Sequence, residues 1–220
     1  YEDNGYGAKC PFLQKDISDL YQGMNSAPAK TLDCTNLVRY LKDRQDQDSL
    51  LHHDHDLNSN GQLDKCFFTM KGSHYHWLAC EGKVVLLDTK HGTNTYGLKL
   101  ALFTSIKNDG MSCVLAAGII ASENESTFNW LFKCFEKTFS KPKVIFTDSD
   151  AAMDRSISNV WPDPNTTHLL CIFHLWKNFM ENICSGMSKD GWNLARSAWW
   201  KLCKNSDSSF RDEISGKWCD

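Results

Sequence analysis

Val84-Val85-Leu86-Leu87-Asp88 is a short apolar run closed by a carboxylate, and a second such run, Val144-Ile145-Phe146-Thr147, leads directly into Asp148. Unbroken apolar runs of this length suit strands buried inside a sheet, where both faces are covered. How the two runs meet depends on what surrounds them.

Downstream of the first run, residues 98–106 and 113–120 read as two more strands, with Asn108-Asp109-Gly110 between them as a hairpin signal. Ser122 is placed to cap a helix reaching about residue 139. In it Phe128, Leu131, Phe132, Phe135 and Phe139 line one face, and Pro142 marks the stop. The strand at 144–147 follows, then a helix over about 151–160, a strand at 168–173, and a helix from His174 to about Cys184. Upstream, 66–70 and 75–80 read as short strands about a Gly72-Ser73 turn. A three-strand antiparallel meander followed by parallel strands with crossover helices makes a mixed α/β sheet. That is the element order of the ribonuclease H-like fold.

The core is expected over residues 66–184. Residues 1–65 read as a loosely ordered lead-in, with one short helix around Leu37, Val38, Tyr40 and Leu41 and Thr35 or Asn36 as its cap. His52-His53-Asp54-His55-Asp56 has the residue types of a divalent-metal site. With Asn58-Ser59-Asn60-Gly61 directly after it, a solvated loop is the expected form. Residues 185–220 read as the start of a helical insertion that the chain end cuts short. The first residue is Tyr1 rather than Met, which suits a fragment or an incomplete gene model.

Composition narrows the class. No apolar stretch approaches the roughly 18 residues of a membrane span, and the acidic start Tyr1-Glu2-Asp3-Asn4 is unlike a signal peptide. Ten cysteines occur without a CxxC pair, and several lie in apolar runs, so reduced, mostly buried thiols in an intracellular protein are expected. The net charge of −3 gives no general basic surface for nucleic acid. Locally the balance reverses: Lys177, Lys189, Arg196, Lys201 and Lys204 face only Glu181 and Asp190, with Trp192, Trp199 and Trp200 among them. Such interleaving suits stacking on unpaired bases. It equally suits an amphipathic helical pair with tryptophan in its core.

Two carboxylates ending neighbouring strands come within reach of one metal site. Oxygen donors suit Mg²⁺ or Mn²⁺, and a pair of such ions activates a water or 3′-hydroxyl for phosphodiester displacement. Asp148 or Asp150 equally suits the cap of the helix starting near Ala151.

Four ordered blocks add a family resemblance. Leu86-Leu87-Asp88-Thr89-Lys90-His91-Gly92-Thr93-Asn94-Thr95-Tyr96-Gly97 resembles the first catalytic block of Mutator-like element (MULE) transposases and their FAR1-type relatives. Gly118-Ile119-Ile120-Ala121-Ser122-Glu123-Asn124-Glu125-Ser126-Thr127-Phe128 is similar to the family's next strand and helix. Ile145-Phe146-Thr147-Asp148-Ser149-Asp150-Ala151-Ala152-Met153 resembles its second catalytic motif, and Cys171-Ile172-Phe173-His174 its CxxH motif. The resemblance implies that Asp88 and Asp148 are two members of a DDE triad binding Mg²⁺ or Mn²⁺, and that Cys171 and His174 are the CxxH pair near the site. Where family members commonly have Thr and an aromatic residue, this chain has Lys90 and His91.

The family's third acid follows a helical insertion, and no matching Glu block precedes Asp220. Glu181 is a lesser candidate, lying inside the CxxH helix. The implied function is a DNA transposase core in the nucleus, acting on terminal inverted repeats, with Lys177, Arg196 and Lys201 as DNA contacts and a homo-oligomer as its working form. As given, the chain is expected to be a partial or inactive copy. The alternative is a domesticated, catalytically silent regulator that binds DNA, as FAR1-type proteins do.

Overall fold

The computed structural model describes residues 30–90, 96–148, 150–182 and 186–204. Its elements are α1 (Lys30–Gln47), β1 (His53–Leu57), β2 (Leu63–Thr69), α2 (Ser73–Ala79), β3 (Val84–Lys90), β4 (Lys99–Ile106) and β5 (Ser112–Ile120). They continue with α3 (Glu125–Phe139), β6 (Val144–Thr147), α4 (Ala151–Val160), β7 (Thr167–Leu170), α5 (Ile172–Asn182) and α6 (Lys189–Lys204). The chain divides into two units, one up to Leu169 and one from Leu170 onward.

The strands form one sheet in the order β1-β2-β5-β4-β3-β6-β7. β3, β4 and β5 are the expected antiparallel meander, and β6 joins β3 in parallel. This is the ribonuclease H-like mixed sheet, with β2 and then β1 added antiparallel beyond β5. The hairpin closes as Asn108-Asp109-Gly110 implies: Lys107 N–H donates to the Met111 carbonyl, and Gly110 takes a φ of 80° that costs a glycine little.

One face of the sheet is covered by α3. Phe128, Leu131, Phe132, Phe135 and Phe139 are all buried and meet Val85, Leu87, Phe103, Leu115 and Ile145. Two local features let the helix sit close. Phe103 pairs with Ala116 and Thr104 with Val114, so Leu115 is a bulged residue, and Cys113 and Leu115 reach the same core as Ala116 and Ile120. At Gly118 a Cβ would stand 2.8 Å from Leu131 Cδ2, so only glycine leaves room there for the helix. On the other face Leu37 and Leu41, one turn apart on α1, pack with Leu63, Cys66, Phe68, Met70, Val114 and Ile119.

Several expectations need correction. Residues 75–80 are not a strand but belong to α2 and its C-terminal cap, because Ser73 and Trp77 bury one helical turn apart. Asn124, not Ser122, caps α3 by accepting from Thr127 N–H at 2.9 Å. That helix ends at Phe139, where Ser140 adopts a φ of 82°, before Pro142 is reached. Part of the lead-in is regular structure: α1 is 18 residues long, and the His-Asp cluster expected as a loop forms the edge strand β1. β7 ends at Leu170 and α5 already begins at Ile172, earlier than the expected start at His174.

Cys66, Cys80, Cys113 and Cys134 are buried free thiols. Burial pushes Cys113 and Cys134 up to about 12, the neighbouring Cys80 adding to the effect at Cys113. They are packing residues, held far from the reactive thiolate form. Cys184 lies outside the described residues.

The second unit is described by itself. α5 and α6 bring aromatic rings together: Trp199 lies 5.6 Å from Trp176 and 5.2 Å from Phe179. The Trp-rich stretch is therefore partly a helical pair packed through its indoles. The edges of Trp192 and Trp200 remain exposed, and the Arg196 guanidinium lies over Trp192 at 5.5 Å.

Phe135 touches Trp77, Phe103, Phe139 and Trp161 at centroid distances of 5.0 to 6.0 Å. Phe135→Ala is expected to cost about 3–5 kcal/mol, read as a lowered midpoint in urea unfolding of the chain.

Candidate functional site

The parallel ladder between β3 and β6 pairs Val84 with Val144, Val85 with Ile145 and Leu86 with Phe146. Asp88 stands four positions beyond Val84, and Asp148 four beyond Val144. The ladder ends at the Leu86–Phe146 pair, two positions short of both carboxylates, between strands whose backbones run roughly 4.8 Å apart. Strand alternation puts Asp88 on the face of Val84 and Leu86, opposite Val85 and Leu87, which bury under α3. Asp88 is exposed and Asp148 half-buried.

The two residues are held differently. Asp88 lies inside β3, paired with Leu102 of β4. Asp148 comes one residue after the four-residue β6, and its carboxylate accepts from Asp150 N–H at 3.2 Å. Capping of α4 falls to Asp150, whose Oδ1 accepts from Ala152 N–H at 2.8 Å and Met153 N–H at 2.9 Å. Of the two acids weighed as caps, Asp150 takes the work, so capping is not the explanation for Asp148.

Three polar residues that the sequence reading passed over lie beside Asp148. Thr147 is fully buried, and its Oγ1 stands 2.8 Å from the Asp148 carbonyl oxygen and 2.7 Å from His168 Nε2. His168 Nδ1 is 3.3 Å from Asp154 Oδ1. Burial holds the His168 imidazole below its usual pKa, with Asp154 working in the opposite direction. Alternation in Thr167–Leu170 offered no signal for a functional histidine; only the sheet order brings β7 beside β6.

The remaining sequence candidates belong to the second unit. Cys171 is half-buried between β7 and α5, and His174 is half-buried in the first turns of α5. Lys177 and Glu181 are exposed and face each other at 3.9 Å as an i,i+4 pair, the ordinary arrangement of a solvated helix surface. Arg196 and Lys201 are exposed on α6. His91 of the first block and Ser149 of the second lie outside the described residues. Among the described residues no three His, Cys, Asp or Glu side chains gather as a metal site, the His52–Asp56 segment included.

Residues 84–178 match the family model of the MULE transposase domain, and the chain is similar to FAR1-related proteins. Protein FAR-RED IMPAIRED RESPONSE 1 of Arabidopsis thaliana is 26% identical over 182 residues, covering 82% of this chain and 22% of that protein. Protein FAR1-RELATED SEQUENCE 5 of the same plant is 26% identical over 180 residues, covering 74% and 23%. The chain thus spans less than a quarter of the length of these relatives. Among solved structures, the HTLV-2 integrase catalytic core domain in complex with magnesium (dimeric form) is similar at 18% identity and a TM-score of 0.31. That match covers 58% of this chain and 90% of that one. Among the described residues no helix is long and apolar enough to cross a membrane.

Asp150→Ala removes the α4 cap and is expected to lower stability by about 1 kcal/mol. Asp148→Ala, which removes no cap, is expected to cost less. Thermal melts of the two variants side by side check this ordering.

Proposed function

We propose that Asp88 and Asp148 are two carboxylates of a DDE-type site for metal-dependent DNA strand cleavage and transfer. One observation supports the reading: the β3–β6 pairing of Val84 with Val144 through Leu86 with Phe146 runs toward Asp88 on β3 and Asp148 just past β6. Their donor chemistry fits Mg²⁺ or Mn²⁺, which accept carboxylate oxygens and keep several waters, and the accessible Asp88 leaves room for water. When bound, such ions supply Lewis-acid activation of a water or 3′-hydroxyl and stabilise the departing oxygen.

The chain's own residues do the remaining work. Asp88 and Asp148 hold the cations at a fixed level of the sheet. The basic side chains Lys177, Arg196 and Lys201 bind the DNA backbone, with binding that weakens as salt rises. Cys171 and His174 supply the CxxH pattern of the family. The natural substrate in this reading is the terminal inverted repeat of a transposon, the compartment the nucleus, and the working form a homo-oligomer. Glu181 remains the lesser candidate for the third acid, since its ion pair with Lys177 already accounts for it.

A second reading, a DNA-binding regulator without cleavage, is favoured by the likeness to FAR1-related proteins. Mn²⁺ titration of the chain followed by electron paramagnetic resonance, together with cutting of duplexes carrying the terminal repeats that flank its coding sequence, separates the two. The transposase reading expects saturable Mn²⁺ binding weakened at least about 10-fold by Asp88→Asn or Asp148→Asn, and Mg²⁺-dependent cutting by the full-length protein that Asp88→Asn abolishes. DNA retention that persists in chelator, with no cut product and no effect of Asp88→Asn, sinks it in favour of the regulator.

A further inference from the structure

The two candidate ligands do not receive equal support from the sheet. Asp88 lies in the β3–β4 ladder, paired with Leu102, whereas Asp148 begins just where β6 stops. A ligand past the end of a four-residue strand needs another device to fix its backbone, because regular strand pairing no longer dictates its dihedrals.

The structure supplies that device from behind. Thr147 Oγ1 lies 2.8 Å from the Asp148 carbonyl oxygen, at donor distance to the peptide that follows the ligand. The same hydroxyl lies 2.7 Å from His168 Nε2. A threonine hydroxyl both accepts and donates, so Oγ1 can take a hydrogen bond from Nε2–H while giving its own proton to the carbonyl. With Nε2 protonated, His168 Nδ1 is bare, so its 3.3 Å approach to Asp154 Oδ1 is a contact and not a hydrogen bond. Asp154 N–H donates to the Asp150 carbonyl, and Asp150 N–H donates to the Asp148 carboxylate. Thus β6, β7 and α4 converge on Asp148 from both ends of the residue, through its carbonyl and through its carboxylate.

Burial makes the arrangement stiff. Thr147 is fully enclosed and His168 about four-fifths enclosed, at 21% side-chain exposure. Polar groups so placed lose water and are costly to leave unpaired, so the chain of contacts has little freedom to rearrange. No catalytic contact is needed from any of them.

We infer that Thr147 and His168 are positioning residues that set Asp148 for cation binding. The inference rests on the metal-site reading above. It assigns the Thr in Phe146-Thr147-Asp148 and the His in Thr167-His168-Leu169 a role that does not involve touching DNA or metal.

The test is Mn²⁺ titration of the whole chain by electron paramagnetic resonance, with a thermal melt of each variant. Thr147→Val keeps the shape and removes the hydroxyl; Thr147→Ser restores it. Thr147→Val is expected to weaken Mn²⁺ binding about 10–100-fold, Thr147→Ser to stay within about 3-fold of the parent, and His168→Gln to fall between them. A purely structural role would lower the melting temperature without this rescue pattern in affinity. If Thr147→Val is folded and binds Mn²⁺ as the parent does, the positioning role is overturned while the metal site stands. Should Thr147→Val fail to fold, His168→Gln decides, and unchanged affinity there overturns the role equally. If the parent binds no Mn²⁺, or binds it with no effect of Asp88→Asn, the metal-site reading itself falls and the positioning role with it.

Discussion

The parallel pairing of β3 with β6 is the constraint on which the rest of this structure depends. A parallel neighbour cannot be reached by a hairpin; the chain must leave the sheet, cross one face and return in the same direction. Here α3 makes that crossing, and its phenylalanines seal the face they cross. The step therefore does two things at once. It supplies the largest part of the apolar core, and it fixes which residue of β6 lies beside which residue of β3. A shift of that register by one residue would turn one strand's side chains to the opposite face and separate Asp88 from Asp148.

That coupling explains why the site and the core were legible together. The run Val84–Asp88 and the run Val144–Asp148 are apolar because their strands are internal, and the helix between them shows a clear 3.6-residue period in Phe128, Leu131, Phe132, Phe135 and Phe139. β6 and α4 start and stop where the sequence says, since Asp150 is a strong cap and apolar β-formers give way abruptly to polar residues. Strong local signals and tertiary burial agree in this region, which is where sequence patterns are most informative.

Elsewhere the signals conflicted. Residues 75–80 alternate aromatic and other side chains and so suggest a strand. The burial of Ser73 and Trp77 one turn apart shows the helical period that won. His53–Leu57 has no apolar stripe at all, yet it pairs with β2 at the sheet edge. An edge strand needs only backbone partners on one side and is commonly charged, which also discourages pairing with other chains. Composition alone makes such a strand look like a loop. The support behind Asp148 was hidden for a different reason: Thr147 and His168 stand 21 positions apart and meet only because β7 lies beside β6.

The contrast between the two acids bears on how such a site keeps its geometry. A carboxylate within a ladder inherits its position from many backbone hydrogen bonds, and changing one neighbouring side chain moves it little. A carboxylate one residue past a strand is placed by a few specific bonds, each of which can be lost by a single substitution. Asp148 is of this second kind, so under the proposed reading a substitution at a supporting residue disturbs the site while both acids remain. The identity of residues 147 and 168 then becomes as informative about competence as the presence of Asp88 and Asp148. In this chain both positions carry hydrogen-bonding side chains, and the threonine and histidine are in contact at 2.7 Å. Under the metal-site proposal, that contact is the support on which the placement of Asp148 rests.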